Sequence, residues 1–138
     1  MIYVAFHKNN DSLYGKLISW WTDSIYSHCE IYNTNGDIMY GVPLDASKVI
    51  KRSTKFSYYD TNRWEFVKTS LTEAEVVKFF AKTQHNKYDW LGILLSQIFP
   101  FGKHKRAKYF CSEWVAELLG YANPQTYSPA DVYERLMK

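Results

Sequence analysis

Between Ile25 and Tyr32 the chain reads IYSHCEIY, a run of strand-forming residues. The segment NTNGD follows, and then a second strand-like run from Ile38 to Val42. Period-two alternation broken by an Asn/Gly/Asp turn signal predicts a β-hairpin, which commits the front of the chain to a sheet. The same alternation assigns faces. Ile25, Ser27, Cys29 and Ile31 fall on one side of the strand, and Tyr26, His28, Glu30 and Tyr32 on the other. The isoleucine side is the natural core face. His28 and Glu30 are therefore expected together on a polar, tyrosine-rimmed face, about 7 Å apart along the strand.

Around this hairpin the remaining elements sort by period. Ile2 to His7 predicts a first strand, and further strand-like pieces fall at Ala46 to Ile50 and Arg63 to Thr69. Leu13, Leu17, Trp20 and Trp21 stand at helical spacing within a segment from Asp11 to Thr22. The second half of the chain is helical. Thr72 and Glu75 form a capping-box pattern ahead of Ala74, Val76, Val77, Phe79 and Phe80. Asp89 is placed to cap a helix running through Ile98. Ser112 to Leu119 predicts another helix, stopped by Gly120. Ser128-Pro129-Ala130-Asp131 supplies an N-cap, a proline at the first helical position and an acid in the first turn. The expectation is one α+β domain over residues 1–138, a mostly antiparallel sheet with helices packed on it.

Cys111 is the sharpest chemical position. It lies in YFCSEWVAELLG, where an aromatic pair gives way to an amphipathic helix. A helix N-terminus presents a positive dipole end and unpaired backbone N–H groups. Both favour a thiolate and can cradle a developing oxyanion. His28 is the natural base, and a base needs a partner to fix its tautomer, for which Glu30 is the candidate. Cys29 points away from His28. A Cys29–Cys111 disulfide and a His28–Cys111 pair are hard to satisfy together, so Cys29 is assigned to the core. The alternative roles are structural: a buried apolar cysteine, and a strand face that happens to hold a His and a Glu. No metal or cofactor site is expected. His7, His28, Cys29, Glu30, His85, His104 and Cys111 show no ligand spacing, and no glycine cluster is present to cradle phosphate.

The motifs SHxEI on an early strand, YDxxG, and FCSEWV opening a helix resemble the permuted branch of the NlpC-type papain-like hydrolases, over nearly the whole chain from Ile2 to Tyr133. In that branch the histidine strand precedes the cysteine helix. The resemblance implies the papain-like fold in circularly permuted order, with Cys111 as nucleophile, His28 as base and a third polar residue steadying His28. Glu30 is favoured for that role, with Tyr40 on the next strand as the other candidate. Tyr88 and Ser112 are candidates for oxyanion support. The implied activity is hydrolysis of an amide bond in a peptide or cell-wall peptide through a thioester, with acyl groups as a further substrate class. The short form ending in SPADVY is similar to small phage-encoded members.

Charge and length bound the setting. The net charge is +3, with cations gathered between Lys48 and Lys55 and between Lys103 and Lys108. The second run, after Pro100 and Gly102, reads as an exposed loop, where Lys103, Lys105, Arg106 and Lys108 would suit an anionic polymer or surface. Together with twelve tyrosines, that loop supports the rival reading, a catalytically idle binding or phage structural module. No signal peptide is visible, and the apolar run from Trp90 to Phe101 is too short and interrupted to span a bilayer. With two cysteines and no export signal, the expected location is a reducing cytoplasm, that of the host cell if the chain is phage-encoded.

Overall fold

The computed structural model describes residues 1–8, 26–42, 49–54, 63–84 and 110–138. Among them, strands β1 (Ile2–Lys8), β2 (Tyr26–Asn33), β3 (Ile38–Gly41), β4 (Ile50–Ser53) and β5 (Trp64–Lys68) are followed by helices α1 (Glu73–Thr83), α2 (Phe110–Leu118) and α3 (Pro129–Met137). A short 3-10 turn, Pro124–Thr126, precedes α3. The strands make one sheet in the order β4-β3-β2-β1-β5, antiparallel at every pairing. This is an α+β fold.

The hairpin forms where the turn residues place it. Gly36 and Asp37 both adopt left-handed backbone, with φ of 81° and 50°. Glycine takes that conformation without steric cost, and Asp is among the few residues that tolerate it. The helices start at their caps. The Thr72 hydroxyl accepts from the Glu75 N–H, and the Glu75 carboxylate accepts from the Thr72 N–H, closing the capping box. Ser128 and Asp131 build the same box ahead of Pro129 at the start of α3. Helix α2 ends ahead of Gly120, whose φ is 75°, the left-handed stop for which glycine is suited.

One face of the sheet meets the helices. Ile2, Val4, Phe6, Cys29 and Ile31 pack with Val76 of α1, Trp114 and Val115 of α2 and Val132 of α3. The buried indole N–H of Trp114 is satisfied by the Thr83 hydroxyl at 2.9 Å. On the same face of the sheet, the Glu65 carboxylate accepts from Tyr26 Oη at 2.7 Å and from Tyr133 Oη at 2.6 Å. Lys8 Nζ lies 3.3 Å from it. That cluster ties α3 to three strands at once.

The opposite face is also buried at its centre, with Ala5, Tyr32 and Met39 against Tyr3, Trp64 and Phe66. His28 and Glu30 lie buried there too. The polar face anticipated for β2 is therefore enclosed rather than an open cleft.

Two expectations are corrected. Tyr26 does not share a face with His28, because β1 and β2 slip register. His7 pairs with His28 but Lys8 pairs with Tyr26, leaving Ser27 as an extra residue. Such a bulge reverses the alternation beyond it, and Tyr26 joins the helix-side cluster with Phe6 and Tyr133. Of the strand-like piece anticipated at Ala46 to Ile50, residues 46–48 lie outside the described residues, and the fourth strand described runs at Ile50–Ser53. It falls inside the first cationic run, and charged side chains are ordinary on an edge strand, where they oppose pairing with another sheet. Tyr40 pairs with Ile31, so it belongs to the helix side. There its ring packs on Phe80, with centroids 5.4 Å apart. The helices anticipated at Asp11 to Thr22 and Asp89 to Ile98 lie outside the described residues. No helix among the described residues is long and apolar enough to cross a membrane.

Candidate active site

Strand β2 and helix α2 supply the reactive residues. Helix α2 begins at Phe110, which puts Cys111 in its first turn, where backbone N–H groups have no partner within the helix. The helix packs over β2, and Cys111 is 4% exposed. His28 and Glu30 leave β2 on the same face, as two-residue spacing requires, and they are 5% and 1% exposed.

Two parallel side chains at i and i+2 do not meet unless one leans over. Glu30 leans. Its Oε1 lies 2.8 Å from His28 Nε2, and its Oε2 accepts from an Arg52 N–H at 2.8 Å. Gly41 makes this lean possible. A Cβ at that position would stand 2.9 Å from Glu30 Cγ and 3.2 Å from its Cβ, so a larger residue would occupy the space that Glu30 crosses. Arg52 reaches in from β4, where it is paired with Met39.

Electrostatics follow from this arrangement. Burial alone would push the Glu30 carboxyl up; the hydrogen bond and charge of His28, then the charge and hydrogen bond of Arg52, outweigh it and hold the group below the usual carboxylate range. Burial would push His28 down, but the Cys111 charge and hydrogen bond, followed by those of Glu30, drive it up to about 10. The Cys111 thiol is held well below its ordinary value. Its largest stabiliser is a hydrogen bond from the Cys29 thiol, which prevails over burial together with the charge of His28. Burial, and then Cys111, push Cys29 the other way. These shifts all act in one sense, favouring thiolate, imidazolium, carboxylate and guanidinium in a row whose charges alternate in sign.

Nε2 of His28 is committed to Glu30, and Nδ1 is buried with no hydrogen bond of good geometry. By elimination Nδ1 is the nitrogen left to face Cys111, whose charge acts on His28. Across β1, His7 stands opposite His28, its ring edge-on to Trp64 with centroids 4.7 Å apart.

Of the candidate residues, the structure brings Cys111, His28 and Glu30 together. Tyr40 is on the helix-packed face with Phe80, the face opposite Glu30. The Ser112 hydroxyl is spent on the Tyr127 carbonyl at 2.6 Å, so that O–H is not an oxyanion donor. Tyr88 and the basic loop of Lys103, Lys105, Arg106 and Lys108 lie outside the described residues. Cys29 is in the core, as anticipated, yet its thiol also touches Cys111. A helix terminus lying over a strand can meet residues i and i+1, whose Cα atoms are about 3.8 Å apart. Both cysteines are free. Arg52 went unread as part of this site. It sits in a cationic run whose pairing depends on strand register, and no local pattern reports that. Comparison of the chain with protein-family models, with curated proteins and with solved structures finds no match.

Proposed function

We propose that this chain is a cysteine hydrolase of the permuted papain-like kind, cleaving an amide bond in a peptide or cell-wall peptide. The observation that carries the reading is the buried row Cys111–His28–Glu30, in which Glu30 holds Nε2 at 2.8 Å and leaves Nδ1 to serve the sulfur. The chain order supports it as well, since the histidine strand β2 precedes the cysteine helix α2. In the reaction the Cys111 thiolate attacks the carbonyl carbon, and the oxyanion forms near the first-turn N–H groups of α2. Imidazolium passes its proton to the departing amine as the C–N bond breaks, leaving a thioester on Cys111. Neutral His28 then takes a proton from water, and the hydroxide so formed releases the acid and restores the thiolate. Glu30 stabilises the imidazolium and fixes the ring throughout.

The low exposure of Cys111 and His28 favours the rival reading, an idle binding or phage structural module whose buried polar row only stabilises the fold. Iodoacetamide separates the two. A hydrolase should be alkylated at Cys111 far faster than at Cys29. Its rate profile should follow a thiol ionising below the free value of ~8.5. Equal labelling of both cysteines, or an ordinary thiol profile at Cys111, refutes the hydrolase.

A further inference from the structure

We propose that Arg52 is a positioning residue for the Cys111–His28 pair: by holding the second oxygen of Glu30, it keeps that carboxylate ionised and turned toward His28. The inference rests on the hydrolase reading and adds to it a residue outside the three expected partners.

The geometry is specific. Glu30 is almost wholly buried, and each of its two oxygens meets a nitrogen at 2.8 Å, one from His28 and one from Arg52. The sheet is built to permit this. Glu30 and Arg52 stand on strands separated by β3, with Met39 beside Arg52 and Gly41 leaving room under Glu30. Arg52 is itself 38% exposed along its side chain, so its charge stays partly hydrated while it neutralises a charge that is not. Among the described residues, the groups acting on Glu30 are His28 from its own strand and Arg52 from β4. Around His28 stand Cys111 from α2 and, opposite it on β1, His7.

The physical role follows from what a buried carboxylate does without a second cation. A carboxylate with only an imidazolium for company, in a medium that penalises charge, can draw the shared proton onto itself. The pair becomes carboxylic acid and neutral imidazole, and the thiolate loses the cation beside it. A guanidinium on the far oxygen opposes that transfer. It also fixes the carboxylate plane, because two donors at opposite oxygens leave little freedom to rotate.

The test is the pH profile of Cys111 alkylation by iodoacetamide in the full chain. Arg52→Gln keeps a donor and removes the charge, whereas Arg52→Lys keeps the charge as a point. Arg52→Gln should move the Cys111 midpoint upward by about one unit, slowing alkylation about tenfold on the acid limb, with Arg52→Lys recovering most of it. In a Glu30→Gln background the Arg52→Gln shift should vanish, because no carboxylate remains to hold. A folded Arg52→Gln protein whose profile superimposes on wild type overturns the proposal, as does a shift of equal size in the Glu30→Gln background. If Arg52→Gln does not fold, Arg52→Lys decides. A folded Lys variant should titrate within about half a unit of wild type, and one displaced as far as a full unit overturns the proposal. An ordinary thiol profile in the wild type sinks the hydrolase reading instead, so the two failures are distinguishable.

Discussion

Replacing Glu30 by Gln changes one atom and removes one charge, and the structure says what each loss costs. The carboxylate accepts from two donors, His28 Nε2–H and an Arg52 N–H, each at 2.8 Å. A carboxamide has one oxygen and one NH2, so one of those contacts becomes donor against donor. Breaking a buried ion pair by removing one partner costs about 3–5 kcal/mol. Arg52 is 38% exposed and can rehydrate, so the expected loss is about 2–3 kcal/mol. The loss should depend on pH in a fixed sense. Glu30 ionises below the ordinary carboxylate value in the folded chain. Its contribution is therefore complete above the unfolded value of ~4.3 and fades as pH falls through the folded one. Urea unfolding followed by tryptophan fluorescence, on wild type and Glu30→Gln at pH 7 and pH 3.5, should show a full gap at the first pH and a narrower one at the second. Turnover of a true amide substrate should fall at least ~10-fold, about 1.4 kcal/mol of transition-state stabilisation. Tyr40→Phe, across the sheet on Phe80, should be far milder and serves as the control. A stability gap under about 0.5 kcal/mol at pH 7 would refute the reasoning. So would a gap that does not change with pH, since the variant would then report something other than a lost charge.

Two further substitutions address the same row from other sides. Cys29→Ala deletes the thiol hydrogen bond that is the largest stabiliser of the Cys111 thiolate, so the midpoint of Cys111 alkylation should rise; an unmoved midpoint would show that Cys29 is only core. Gly41→Ala places a methyl 2.9 Å from Glu30 Cγ, closer than real contacts allow. It should cost about 1–3 kcal/mol in a urea melt and slow Cys111 alkylation below pH 7, whereas a fully stable, fully reactive Gly41→Ala would mean that Glu30 does not lie over that residue.

The parts of this fold that local chemistry controls were legible in the sequence. NTNGD marked a turn because two consecutive residues there take left-handed backbone. The Thr72 and Ser128 boxes marked helix starts because a cap is satisfied within four residues. The shared face of His28 and Glu30 followed from the pleat alone. What failed depended on neighbours distant in sequence. The bulge at Ser27 is set by how β1 lies against β2, and IYSHCEIY alternates straight through it, so Tyr26 was given to the wrong face. The site role of Arg52 depends on β4 pairing with β3 at one particular register. A run of lysine, arginine, serine and threonine fits several registers equally well. Tyr40 was named from its place on the strand after β2, and only the hairpin register, which pairs it with Ile31, tells that it faces away from Glu30.

Of the described strands, the earliest in the sequence is the one whose pairing is completed last. β1 occupies the inside of the sheet, between β2 and β5. Residues 2–8 must therefore wait for Trp64–Lys68 to emerge before their second edge is paired. The Glu65 carboxylate on that late strand then waits for Tyr133 of the last helix. Pairings this far apart in sequence delay closure, because loop entropy is spent before any contact rewards it. During synthesis the half-built sheet β2-β3-β4 carries an open edge where β1 has yet to settle or has only half its partners, and open edges of this kind recruit other chains. Removing the first eight residues would not trim the domain. It would divide the sheet into a three-stranded piece and a lone strand.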